Sequence, residues 1–153
     1  MDLRLRPYAP TDAQALVELF TDTVHAINQR DYTQQQCDAW APRAYDLTRW
    51  QCRFDQKHPL IAEQVSIIVG FGELESDGHI DAFYVHANYQ CQGVGTQLLQ
   101  ALEQQARASQ LARLYAEVSI TALPFFRRHG FHTIAEQSVM VRGVAMTNYR
   151  VEK

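Results

Sequence analysis

A chain of 153 residues with 46% hydrophobic and 20% charged residues has the length and balance of a single folded domain, 1–153, with a sizeable core. Its formal net charge of −3, with no basic run longer than Arg127-Arg128, argues against nucleic acid as a partner. No apolar stretch approaches the roughly 18 residues of a membrane span. The opening MDLRLRPYAP carries charges where a signal peptide needs an apolar core, so no membrane partner and a cytoplasmic location are expected.

In chain order, residues 3–8 alternate as a half-buried strand does. Thr11, with Gln14 three residues later, reads as a capping box opening a helix whose buried face is Leu16, Leu19, Phe20, Val24 and Ile27. Thr33 and Gln36 repeat that signal for a short helix toward Trp40, broken by Ala41-Pro42. A third helix is expected over about Tyr45 to Asp55, with Leu47, Trp50 and Phe54 inward. Strands follow at Leu60–Glu63, Val65–Leu74 and 79–86, the last after an Asp77-Gly78 turn. Gly70 and Gly72 inside the second of these mark weakness or close backbone approach. A helix over about 94–109, a buried strand at Leu114–Val118, and a short helix through Phe125-Phe126 ended by Gly130 come next. Two strands joined near Arg142-Gly143 complete the chain. The fold class is therefore α/β (α+β): one mixed sheet with helices packed on it.

Cys37, Cys52 and Cys91 are odd in number and form no CxxC pair, as reduced thiols do. The six histidines include no HExxH, so no metal site is indicated. The stretch Gln90-Cys91-Gln92-Gly93-Val94-Gly95-Thr96 carries more chemistry. It joins the apolar strand IDAFYV to a helix with Leu98, Leu99, Leu102 and Ala106 at helical spacing. A strand, a glycine turn and a helix start converge backbone N–H groups and the positive end of a helix dipole on one point, which suits an anion. No lysine follows Gly95, which excludes a P-loop. Only GxG is present, late in the chain, which excludes the dinucleotide fingerprint.

The segment NYQCQGVGTQLL resembles the acetyl-CoA-binding motif (Q/R)xxGx(G/A) of the GNAT acetyltransferase superfamily, with Gln90, Gly93 and Gly95 at its defined positions. ALPFFRRHGF, residues 122–131, is similar to the second signature of that superfamily, AxxFYxxxGF, and the element order agrees over the whole chain. RDYTQQQCDAWAP and the ending EQSVMVRGVAMTNYRVEK resemble the YafP-like branch. The resemblance implies a mostly antiparallel sheet of about seven strands flanked by four to five helices, with two strands splayed to form an acetyl-CoA cleft. It implies a pyrophosphate held by the amides of Gln92, Gly93, Val94, Gly95 and Thr96 beside Gln90 and Cys91. The pantetheine arm would lie along Phe83, Tyr84 and Val85, with Phe126 beside the cofactor. The activity implied is N-acetyl transfer to a primary amine of a small molecule or peptide, with acetyl-CoA as co-substrate and no metal. A homodimer is a further partner to expect. A non-catalytic acyl-CoA sensor, or a nucleotide-binding protein, would use the same turn.

Such transfer needs a base for the amine, a donor for the thioester oxygen and an acid for the thiolate. Glu117, in LYAEV, is at the place of a base in the superfamily's protein N-terminal acetyltransferases; its plainer alternative is an exposed strand-end carboxylate. Asp81 and His79 on the preceding strand are rivals, and Glu73 and Glu75 lesser ones. Phe126 stands where many members have a catalytic tyrosine and has no proton to give. Tyr149 is the catalytic candidate to replace it, and Tyr32 another; both are as readily packing residues. Tyr32 and Trp40 are candidates for the acceptor pocket. Arg142 and Asn148 suit a polar substrate or a solvated face equally. Cys91, at a helix start, suggests a covalent route, against which stands its place at the phosphate end of the cofactor.

Overall fold

These patterns resolve, in the computed structural model, into seven strands and five α-helices among the described residues, 2–153. The strands are β1 (Leu3–Pro7), β2 (Leu60–Gln64), β3 (Ile67–Leu74), β4 (His79–Val85), β5 (Tyr115–Ser119), β6 (His132–Val141) and β7 (Val144–Glu152). They form one open sheet in the order β1-β2-β3-β4-β5-β7-β6. Every neighbouring pair is antiparallel except β4 and β5. The helices are α1 (Ala13–Ala26), α2 (Gln34–Trp40), α3 (Leu47–Lys57), α4 (Val94–Ala108) and α5 (Leu123–Arg128). This is the mixed α/β architecture expected of the sequence. Among the described residues, no helix is long and apolar enough to cross a membrane.

The helical spacing buries one face of each long helix, and the two faces lie on opposite sides of the sheet. Leu16, Val17, Phe20 and Val24 of α1 join Phe54 of α3 and Phe71 of β3 in one core. Leu99, Leu102 and Ala106 of α4 join Ile80, Phe126 and Val151 in another, and Leu98 packs with Ala62, Val69 and Val94. Each fully buried leucine contributes roughly 2 kcal/mol. Helix α4 lies directly on strand backbone. A Cβ on Gly72 would stand 2.9 Å from Leu102 Cδ1, and one on Gly70 would stand 3.2 Å from Val94 Cγ1.

Three local expectations are corrected. Thr11 does not open a capping box for α1, whose cap position is Asp12 with no side-chain cap bond. Arg6 holds the Asp12 oxygens at 2.8 and 2.9 Å and the Ala9 N–H donates to one of them, so a tertiary ion pair takes that carboxylate. Helix α3 starts later than Tyr45 because the Asp46 side chain accepts from the Thr48 and Arg49 amides. β3 starts at Ile67 because Val65 and Ser66, at φ 50° and 64°, make a two-residue turn that no glycine announces. The Thr33–Gln36 capping box forms as expected.

β4 carries the geometry that builds the site. Glu73 pairs with Ala82 but Leu74 pairs with Ile80, so Asp81 is an extra residue, a β-bulge. The bulge lets Ile80 join the α4-side core while Ala82 joins the α1-side core. Pairing with β5 covers only His79 with Tyr115 and Ile80 with Ala116. Beyond that rung the two parallel strands separate.

Candidate active site

A cavity of about 460 Å³ fills the gap between β4 and β5 and runs from Glu117 and Asp81 to the start of α4. Its polar wall is main chain. The His86 N–H donates to the Val69 carbonyl at 2.8 Å, which makes Gly70 and Val85 a non-hydrogen-bonded pair. The alternation of an antiparallel ladder then turns the N–H and C=O of Val85 and Phe83 away from β3, toward the gap. The Val85 carbonyl is already occupied, accepting from Gln90 Nε2 at 2.7 Å and Thr23 Oγ1 at 3.0 Å. Its N–H is the group left facing the cavity.

At the far end, Gly93 caps α4 at φ 84° with no side-chain cap bond, so the first amides of a 15-residue helix lack the usual internal acceptor. No heavy atom lies within 4 Å of where a Gly93 Cβ would stand. Cys91 also has positive φ, 57°, which curls the loop over the helix start. Gly95 serves differently: its Cβ would meet the Phe125 ring at 3.1 Å. Gln90 is used to tie this loop to the end of β4. Thr96 Oγ1 lies 3.1 Å from His129 Nε2, while His129 Nδ1 donates to the Phe125 carbonyl at 2.8 Å, so in the neutral ring the Thr96 hydroxyl is the donor. Gln90, Cys91, Gly93, Gly95, Thr96 and Phe126 all line the cavity. The Gln92 amide side chain instead donates to the Asn88 carbonyl at 3.4 Å.

At the near end the acidic candidates form one connected array. His79 lies between Glu75 at 2.5 Å and Glu117 at 2.6 Å and stacks on Tyr115 at 4.8 Å. Both neighbours are carboxylates, and the ring when doubly protonated donates to each. Burial alone would lower its pKa, but Glu75 and Glu117 outweigh burial and raise it. Asp81 differs in kind. Burial would raise its pKa, yet Lys57 at 2.8 Å and Arg53 at 3.0 Å hold it below the usual carboxylate value, which makes it a poor proton acceptor. Glu75, His79 and Asp81 bring ligand-type atoms within 4.8 Å of one another, but the Lys57 ammonium bonds both carboxylates and supplies the cation. Glu73 is fully buried, with both oxygens on Arg53 at 2.7 Å; burial raises its pKa.

The expected tyrosines are elsewhere. Tyr149 does not line the cavity; its hydroxyl donates to Glu136 at 2.8 Å on the neighbouring strand. Tyr32 is 7% exposed, and its hydroxyl donates to the Thr147 carbonyl and accepts from the Ile120 N–H, tying β7 to the end of β5. Trp40 does line the cavity, against Tyr32 at 5.4 Å. The Tyr84 side chain points to the α1 side, meeting Phe20 at 4.9 Å, so only its main chain runs along the gap with Phe83 and Val85. Phe126 is 2% exposed among Phe83, Phe125 and Phe131.

The model of the Acetyltransferase (GNAT) domain matches residues 28–153, most of the chain and every element from α2 onward. The chain belongs to the GNAT acetyltransferase family. It is 32% identical over 148 residues to the N-acetyltransferase YafP of Escherichia coli K12, covering 97% of this chain and 93% of that one. A GCN5-related N-acetyltransferase from Rhodopseudomonas palustris superposes with a TM-score of 0.95 at 33% identity, over 100% of this chain and 96% of that one. YncA from Salmonella typhimurium, solved with its cofactor acetyl-CoA, shares the fold at a TM-score of 0.75 and 16% identity, over 100% of this chain and 94% of that one. The protein is thus an acyltransferase of the N-acetyltransferase kind.

Within this GNAT frame the sequence reading missed Arg53, Lys57 and Ser119. Arg53 and Lys57 are four residues apart on α3, a spacing that puts both on one helix face, but nothing local says that the face meets Glu73 and Asp81. Ser119, at the end of β5, lines the cavity and accepts from the Ala122 N–H at 3.0 Å and Asn28 Nδ2 at 3.4 Å, leaving its own proton free to donate.

Proposed function

We propose that this protein moves the acetyl group of acetyl-CoA to a primary amine of a small molecule or peptide by direct attack. The single observation that carries this reading is the loss of β4–β5 pairing beyond Ile80 and Ala116, beside an α4 start with no side-chain cap. The open strand edge suits an extended amide chain, and the amides from Gln92 to Thr96 suit its pyrophosphate. The Gly93 cradle, with no atom near a Cβ position, agrees with such a group.

Bound acetyl-CoA supplies an activated thioester. Glu117, held by His79, draws an incoming ammonium and takes one of its protons. The freed lone pair then attacks the thioester carbonyl carbon, and the Val85 N–H donates to the oxygen on which charge develops. As the C–S bond breaks, Ser119 passes its proton to the departing thiolate and recovers one from the nitrogen, which sheds its second proton as the amide forms. Holding amine and thioester together provides much of the rate. Cys91 has no part in the transfer.

A thermal-shift comparison of acetyl-CoA, CoA, ATP and NAD tests the donor, since a ligand at 100 times its Kd adds about 2.7 kcal/mol. Acetyl-CoA and CoA should stabilise the protein and ATP and NAD should not. Thiol release across an amine panel then tests the transfer. Tight acetyl-CoA binding with no release on any amine would leave an acyl-CoA sensor instead.

A further inference from the structure

A second cavity, of about 440 Å³, opens between α1, the segment 42–46, α3 and the β6–β7 turn. Arg49, Arg53 and Arg142 reach it, together with the rings of Phe20, Tyr45 and Trp50. Arg53 is committed to Glu73 and Asp81. Arg142 gives one N–H to the Ala39 carbonyl at 2.7 Å. Neither Arg49 nor Arg142 forms an ion pair among the described residues. Asp46, also on the rim, is turned to the amides at the start of α3. Thr21 lines the same cavity, is 6% exposed, and its Oγ1 has no hydrogen-bond partner.

A buried hydroxyl without an acceptor, beside two unpaired guanidinium groups, calls for an anion with more than one oxygen. A carboxylate matches the planar guanidinium fork, and the ring of Trp50, tilted against Phe20 with centroids 5.3 Å apart, gives an apolar body a surface. The walls of this space and of the β4–β5 cavity are in contact. Phe20 touches Tyr84 at 4.9 Å, and Arg53 reaches Asp81 at 3.0 Å; Tyr84 and Asp81 both line the first cavity.

The geometry points to the second cavity as the anion subsite of the acetyl acceptor: the amine that is acetylated carries a carboxylate, clamped by Arg49 and Arg142, on an apolar or aromatic body. This inference rests on the acetyl-transfer reading and names the substrate class for it. The selectivity is for amino carboxylates over amines of the same shape without the charge.

The test uses phenylalanine, 4-(aminomethyl)benzoate and 6-aminohexanoate, each beside its carboxamide, with the whole protein and acetyl-CoA. At least one carboxylate should have a KM lower than its amide by about tenfold or more, and Arg49→Gln and Arg142→Gln should each remove that preference. The Kd of acetyl-CoA and the KM of the amides should stay unchanged. Calorimetric binding of the preferred carboxylate, present in the native protein and lost in Arg49→Gln, is a readout independent of transfer. Arg49 is an exposed helix residue, so that variant keeps the fold if the Arg142 variant does not. Carboxylates that bind and react no better than their amides, or a preference that survives both variants, overturn the inference. Failure of acetyl-CoA to stabilise the protein overturns the acetyl-transfer reading instead.

Discussion

Nε2 of His79 lies 2.6 Å from Oε2 of Glu117, bridging β4 and β5 at the last rung before the strands part. The contact fixes one carboxylate oxygen at the mouth of the cavity and leaves the other without a partner among the described residues. Replacing Glu117 by Gln should lower kcat by about 10²-fold or more and remove the acidic limb of the pH–rate profile. His79→Gln should move that limb and lower kcat less. An unchanged profile in Glu117→Gln would exclude it as the base.

The same pair sets a pH dependence of stability. The folded pKa of His79 is raised above its unfolded value of about 6.5 because Glu75 and Glu117 overcome burial. Its stabilising contribution is therefore complete below about pH 6.5 and disappears as pH rises through the raised folded value. The difference in Tm between the native protein and His79→Gln should be largest in mild acid and shrink in alkali. A difference that grows with pH would contradict the charge assignment.

Two glycines of one motif should fail in different ways. Gly93→Ala places a side chain at φ 84° in the space proposed for the pyrophosphate, so it should cost about 1–2 kcal/mol of stability through backbone strain and weaken acetyl-CoA binding as well. Gly95→Ala has no such strain, but its Cβ would press the Phe125 ring at 3.1 Å. That ring packs on His129, which holds Thr96, so acetyl-CoA affinity should fall more than Tm does. Unfolding curves and acetyl-CoA titrations of both variants separate the effects.

Hydroxyls near the site can be ranked by where their protons go. Tyr149 gives its proton to Glu136, outside the cavity, so Tyr149→Phe should change kcat by less than about tenfold, against roughly 10²-fold for a general acid. Ser119→Ala should exceed tenfold with the acetyl-CoA Kd retained. Tyr32→Phe should leave chemistry nearly intact but cost about 1–2 kcal/mol, because the Ile120 N–H and Thr147 carbonyl lose their shared partner. Single-turnover rates and melting curves read the three apart.

Much of this was legible from periodicity and punctuation. The α4 stripe of Leu98, Leu99 and Leu102, the Thr33–Gln36 box and the glycines flanking Val94 are local signals, and the elements formed within a few residues of their expected bounds. Thr11 fails as a cap because the cap position falls on Asp12, whose carboxylate is drawn to Arg6 on another element. The bulge at Asp81 left no mark in an apolar run, since it is defined by register with β3. Glu117 and His79 were separately visible as acidic and basic candidates. Their union, and the cations that disable Asp81, depend on three strands and a helix meeting. Tyr149 and Tyr32 share the opposite fault: each lies near the right stretch of chain, but strand parity and a buried hydrogen bond turn its hydroxyl away.

The extra residue at Asp81 divides the labour of a single strand. One half of β4 is clamped to β5 and carries part of the sheet's cohesion, while the other half is released from it and meets whatever enters the gap. A deletion of that residue would make the ladder regular, with Ile80 next to Ala82 on opposite faces and Phe83 still opposite Gly72, and would remove the Asp81 carboxylate from the point where the two halves meet. Side chains on the released half, by contrast, can vary without touching the clamped rung. The protein can thus revise what its cleft accepts while inheriting its scaffold unchanged.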